Sequence, residues 1–231
     1  MKILPITVSL FLLITSSLFA QNMGNDQQIE SNYISSKTTP IFKGYKDTNG
    51  SIYMNEEFQM GSIIMNGKVV ANNVALRYNV LDEEIELTKG LNSGITVANV
   101  IKKDANIHVS IANETLVFLP SPNKNMRDGY FNVLREGKNI SLYKKLSKDY
   151  REGKVSVNSI ARSVPATFKE QETLYVKIKD GSLMELSNSK SKRKRLFIDK
   201  EEAMKNHIDN ENLNLRKDDD LISAIDFYNT L

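Results

Sequence analysis

Short runs of alternating apolar and polar residues fill the middle of this chain. In "VALRYNV" the residues Val74, Leu76 and Tyr78 share one face of a strand, with Ala75, Arg77 and Asn79 on the other. "IELTK" repeats the alternation after the acidic turn Asp82-Glu83-Glu84. "NIHVSI", the turn "ANE" and "TLVFL" predict a hairpin closed by Pro120 and Pro122. "GYFNVLREG" and "ISLYKKL" predict two strands around Gly137-Lys138, and "ETLYVKIK" and "SLMELS" a hairpin around Asp180-Gly181. Asn66-Gly67 is a strong hairpin signal, because a type I′ turn needs positive φ at both central positions; Asn72-Asn73 is a weaker turn. Together these signals predict about nine or ten short strands joined by tight turns. Such local connections predict an antiparallel meander, curled into a half-barrel or folded as a sandwich.

The pattern changes after Ser189. Asp199 followed by Glu202 fits a capping-box start, and "KEEAMKNHI" is rich in helix formers. "NENLNL" interrupts it. "DDDLISAIDFYNTL" opens with three acids, suited to the positive end of a helix dipole, and repeats Leu221, Ile225 and Tyr228 along one face. The expected class is α+β, mainly β, ending in two or three short helices packed on the sheet. The expected organisation is a signal segment over 1–20, a flexible polar leader over 21–50, an antiparallel β domain over 51–188 and a helical tail over 189–231.

The signal segment rests on Lys2, the apolar run "ILPITVSLFLLITSSLFA" and the small residue before Gln21, which predict cleavage between Ala20 and Gln21. A retained anchor is the competing reading, but Pro5, Thr15, Ser16 and Ser17 interrupt a run barely long enough to span a bilayer. An exported protein follows; the resemblance described below favours the periplasm over the cell surface or the medium. No later stretch is apolar enough to predict a span.

Composition narrows the chemistry. The 231 residues include no Cys, which excludes a disulfide framework, a thiol nucleophile and a zinc–thiolate site. Two histidines, His108 and His207, leave little for metal binding or acid–base work. The formal charge of +3, from 31 basic and 28 acidic residues, gives no general attraction to polyanions, so any such attraction must be local. One place offers it: "KSKRKRLF", with Lys190, Lys192, Arg193, Lys194 and Arg195 as candidate anion contacts. Asp199, Glu201 and Glu202 follow closely and offset part of that charge, while Leu196 and Phe197 predict a segment docked on the sheet.

Several phrases occur together here: "NGSIYMNEEFQMGSIIMNGK", "LRYNVLDEEIEL", "GYFNVLREGKNISLYKK" and the ending "DDLISAIDFYNTL". In this order they resemble a group of uncharacterised exported proteins of Bacteroidota, over roughly residues 49–231. The resemblance implies a signal peptide, a β-rich body, a helical tail and export from a Gram-negative cell. It implies no activity and no site residues.

Other constellations have ordinary explanations. Asp82, Glu83, Glu84 and Glu86 could pair carboxylates, but a solvated turn and a polar strand face account for them. "DNENLN" (209–214) has some oxygen ligands of a calcium loop but lacks its glycine and its closing glutamate, Asp220 standing there instead. His108 and His207 read as half-exposed structural residues. Tyr45, Tyr53, Tyr78, Tyr130, Phe131 and Tyr143 could form a binding platform, but strand-borne aromatics usually belong to a core. No nucleophile elbow, zincin, Walker or dinucleotide motif occurs, and none of these residues calls for a cofactor. The expected function is therefore an exported, non-enzymatic binding or scaffolding module, its partner another envelope protein or an anionic surface polymer. One alternative is a hydrolase or lyase using Asp, Glu, Tyr and Lys without a recognisable motif. The other is binding of lipopolysaccharide or nucleic acid through 190–195.

Overall fold

The computed structural model describes residues 32–42, 44–45, 47–91, 94–121, 128–155 and 162–231. The predicted signal segment and its cleavage site at Ala20 and Gln21 lie outside the described residues. Among them, no helix is long and apolar enough to cross a membrane.

The described chain is mainly β, with helices at its end. Its strands are β1 (Ile34–Pro40), β2 (Thr48–Asn49), β3 (Gln59–Met65), β4 (Lys68–Asn79), β5 (Glu84–Thr88), β6 (Val97–Ile101), β7 (Ile107–Ile111), β8 (Glu114–Leu119), β9 (Gly129–Arg135), β10 (Ile140–Arg151), β11 (Ala166–Ile178) and β12 (Leu183–Glu185). They form one sheet in the order β1-β6-β5-β4-β3-β7-β8-β9-β10-β11-β12, with β2 pairing parallel to β11. Two runs of hairpins, β3 to β6 and β7 to β12, join where β3 pairs with β7. The path ends at β1 and β12, so the sheet is open, neither a closed barrel nor a sandwich of two sheets.

The sheet is also bent. Four strand spacings separate β4 from β9, about 19 Å in a flat sheet. Yet the rings of Tyr78 on β4 and Tyr130 on β9 lie 5.6 Å apart, edge to face. The bend encloses the larger core, built from residues such as Ile63, Leu76, Tyr78, Ile85, Ile111, Leu116 and Tyr130.

The turn chemistry appears where the sequence places it at Asn66-Gly67, where φ is 51° and 74°, and at Gly181, where φ is 87°. Asn72-Asn73 is different. It lies inside the continuous strand β4, where Asn73 has a φ of 53° and the pairing with β3 slips by one residue, so it is a bulge and not a turn. The leader also needs correction over its second half. Ile34–Pro40 is an edge strand on β6, and Tyr33 beside it is buried. "ISSKTTP" lacks an apolar alternation because an edge strand is held largely by main-chain bonds, leaving most of its side chains in solvent.

The tail comprises α1 (Lys190–Lys194), a tighter 3₁₀ segment (Arg195–Lys200), α2 (Glu201–Asn210) and α3 (Asp218–Thr230). Phe197, Met204, Ile208, Leu221, Ala224 and Ile225 pack with Ile140, Leu142 and Val176 of the sheet in a second core. The expected capping role of Asp199 is not seen. The residue preceding α2 is Lys200, with no side-chain cap, and Asp199 instead accepts a 2.7 Å bond from the Tyr228 hydroxyl. Asn229 fastens α3 to the β9–β10 turn: its side-chain oxygen accepts from the backbone N–H groups of Asn139 and Ile140, and its amide donates to the Ile140 carbonyl.

Candidate functional site

The acidic turn organises the bent sheet. Glu83 sits in this turn with a φ of 52°, and its carboxylate is held by groups of three strands. One oxygen accepts the Tyr78 hydroxyl and the Tyr130 backbone N–H, each at 2.7 Å, and the other accepts the Lys145 ammonium at 2.7 Å. Glu84 and Glu86 are buried, contrary to the solvated reading of this cluster. Glu86 accepts two bonds from Arg77, at 3.1 and 2.7 Å, and one from the Tyr53 hydroxyl at 3.3 Å. The Arg77 guanidinium lies over the rings of Tyr53 and Phe58 and donates also to the carbonyls of Phe42 and Glu56. A hollow of about 570 Å³ borders this group, but its ionised members already satisfy one another. It is a staple holding Phe42, Tyr53, Glu56 and Phe58 to β4 and β5.

A second hollow, of about 330 Å³, lies against the larger core on the inside of the bend. Its apolar wall includes Met54, Tyr78, Leu116 and Leu146. The placement follows from strand parity. Positions 140, 142, 144 and 146 of β10 face the same way, so the helices cover Ile140 and Leu142 while Lys144 and Leu146 reach the open part of the same face. Leu174, Glu172 and Glu170 of β11 stand opposite Lys144, Leu146 and Lys148 in an unbroken register. The polar wall includes Glu114, Asn132, Lys144, Glu170 and Glu172, with Asn55 and Asn113 beside them.

The polar groups of this hollow differ in how they are paired. Lys144 meets Glu172 at 3.3 Å, and Lys148, just outside, meets Glu170 at 2.6 Å. Glu114 has no ion-pair partner within 4 Å among the described residues. Burial pushes its carboxyl above the usual range; Lys144 pulls it back, and Glu172 and Glu170 add to the rise. Tyr130 lines the hollow too, and its hydroxyl is buried without a hydrogen-bond partner. Burial, then the charges of Glu83 and Glu84, raise its pKa far above that of a free phenol, so it stays a neutral donor.

The residues singled out in the sequence fall elsewhere. Tyr53, Tyr78, Tyr130, Phe131 and Tyr143 are buried and Tyr45 is 55% exposed, so they present no shared platform. His108 lies 3.3 Å from Glu136, and His207 stacks on Phe227. Asp220 accepts the backbone N–H of Asn214, which ties the connection after α2 to the start of α3, while Asp209 and Asn210 belong to α2 itself. Among the described residues no three or more His, Cys, Asp or Glu side chains gather as a metal site would need. Of the basic segment, Lys190, Lys192, Lys194 and Arg195 are exposed. Arg193 is buried, donating to the carbonyls of Ser187 at 3.0 Å and Leu215 at 2.6 Å, so it is a structural clamp and not an anion contact.

Glu114, Lys144, Glu170 and Glu172 carried no signal as separate residues. A usable one was present in the pairing: "LYKKLSK" and "KEQETL" place opposite charges on one face of adjacent strands. Comparison with known families, with characterised proteins and with solved structures returns no match.

Proposed function

We propose that the protein is an exported, non-enzymatic binding module that takes a small polar solute into the hollow on the inside of the bent sheet. The observation that carries this reading is Glu114: a half-buried carboxyl without an ion-pair partner among the described residues, in the wall of a 330 Å³ hollow that Tyr130 also lines. Buried polar groups are nearly always paired, and a concave, half-apolar site with a few convergent polar groups is the usual form of a ligand pocket. A solute offering a donor to Glu114 would complete it, while Tyr78, Leu116, Tyr130 and Leu146 provide an apolar wall. Export in this reading rests on Lys2 and the apolar run that follows, and the periplasm of a Gram-negative cell rests on the resemblance to exported Bacteroidota proteins.

The test is a chemical-shift titration of the full chain with amino acids, polyamines, mono- and disaccharides and nucleosides. Saturable shifts clustered at Leu116, Tyr130, Asn132 and Lys144, weakened in Glu114→Gln, are expected. If no solute of the panel moves these signals, the reading fails. A solute that binds there and is consumed would make the protein an enzyme, with Glu114 as its acid or base. Cell fractionation with N-terminal sequencing tests the compartment: an unprocessed cytoplasmic product would overturn it.

A further inference from the structure

Asn132 is a second unmatched polar group in the hollow that holds Glu114. It lies on β9 with Leu116 of β8 and Lys144 of β10 as its register partners, and all three line the hollow. Residues directly opposite in a sheet carry their side chains on one face, so Asn132 stands on the floor between them. It is 9% exposed, yet its side chain makes no hydrogen bond among the described residues. Its amide is not sealed in the interior, as the Tyr130 hydroxyl is, and opens to the hollow. Glu114 is two positions from Leu116 on β8, on the same face and diagonal to Asn132, which puts their Cα atoms about 7–8 Å apart.

The charges around these two groups do not balance. Three carboxylates line the hollow, Glu114, Glu170 and Glu172, against one ammonium, Lys144. Lys144 pairs with Glu172, and Lys148 pairs with Glu170 from outside the lining. Glu114 is the carboxylate left over. Met54 and Leu146, both half-buried, form the part of the apolar wall that a solute can reach.

We infer that the solute of this hollow is a small organic cation, a primary alkylammonium, which donates to the Glu114 carboxylate and the Asn132 side-chain oxygen while its alkyl body lies on Met54 and Leu146. This rests on the reading of the hollow as a binding site and names the class of solute. The walls select it. An anion would meet net negative charge and one cation already paired. A hydrated metal ion would leave Met54 and Leu146 without contact, and no metal-holding cluster of acids occurs among the described residues. A neutral alcohol can bond to Asn132 but leaves the Glu114 charge without a counter-ion. An ammonium carries three donors and a full charge on one atom, and charge-assisted bonds are the stronger kind. It also opposes what raises the Glu114 carboxyl: burial first, then the nearby Glu172 and Glu170.

The experiment is a chemical-shift titration of the full chain with three solutes of one shape: butylammonium, 1-butanol and butyrate. Butylammonium is expected to bind about tenfold tighter than butanol, the contrast between a charge-assisted and a neutral hydrogen bond, and butyrate not to bind. Saturable shifts should appear at the Asn132 side-chain amide and at the Met54 and Leu146 methyl groups. In Glu114→Gln the preference over butanol should vanish, and in Glu57→Gln it should remain. The comparison of the three solutes on the wild type decides the matter even if a variant folds poorly. Equal or tighter binding of butanol, or a preference that survives Glu114→Gln, overturns the inference and leaves the hollow to neutral solutes. Butylammonium shifts that never saturate, or that fall on exposed carboxylates elsewhere, overturn it as well. If neither these solutes nor the wider panel moves the signals of the hollow, the reading of the hollow as a binding site itself fails.

Discussion

Glu83 and Tyr130 stand 47 positions apart in the chain, and the Glu83 carboxylate accepts the Tyr130 backbone N–H at 2.7 Å. The same carboxylate holds the Tyr78 hydroxyl and the Lys145 ammonium. Replacing Glu83 with Ala removes the acceptor from three donors at once, two of them in the interior. A loss of about 2–4 kcal/mol is expected in urea denaturation. Glu57→Ala, at an exposed position, should stay within about 0.5 kcal/mol. Equal stability of the two variants would show that the bend does not depend on this carboxylate.

Asn229 performs a comparable task between α3 and the β9–β10 turn, making three hydrogen bonds of 2.8 to 3.0 Å. Gly137 leaves room for it, since a Cβ there would collide with the Asn229 amide. Asn229→Ala should cost about 2 kcal/mol. It should also speed hydrogen exchange at Asn139 and Ile140 far more than at Leu116. Unaltered exchange at these two amides would mean that the helix is held by its apolar face alone.

Within the basic segment, neighbouring residues should behave oppositely. Arg193→Gln removes charged donors from one buried and one half-buried carbonyl and is expected to destabilise by about 2 kcal/mol. Lys194→Gln alters an exposed side chain and should change stability by less than about 0.5 kcal/mol. Thermal unfolding of the two variants side by side decides the matter.

Glu114 gives the protein a pH signature. Its carboxyl is raised in the folded state, chiefly by burial, so between the ordinary carboxylate range and the folded pKa the native protein binds more protons than the unfolded chain. Its contribution to stability is therefore greatest in acid and is lost as pH rises through that window. Relative to Glu114→Gln, the wild type should weaken as pH rises above the ordinary carboxylate range, as followed by urea midpoints. Parallel curves for the two proteins would mean that the carboxyl is not desolvated.

Much of the architecture was readable along the chain, because it depends on short-range regularities. Alternation in "VALRYNV" and "NIHVSI" marks strands, and Asn66-Gly67 and Asp180-Gly181 mark hairpins through the backbone angles those residues permit. Leu221, Ile225 and Tyr228 mark the buried face of α3 by their spacing, and all three are buried. The first strand escaped this reading. An edge strand needs no apolar alternation, and "ISSKTTP" has none.

What the sequence by itself determined is the class: short antiparallel strands, tight turns, a helical end, and no thiol chemistry. These follow from residue type and spacing within a few positions. Only the tertiary structure decided what the charged residues do. It bends the sheet so that Glu83 reaches β9 and β10, buries Glu86 against Arg77, and brings Glu114, Lys144 and Glu172 to the hollow beside Tyr130. It also turns Arg193 inward while leaving Lys194 and Arg195 in solvent. A run of like residues cannot reveal this difference. Whether a charge is solvated, paired or left for a ligand depends on which distant groups the fold brings within about 4 Å of it.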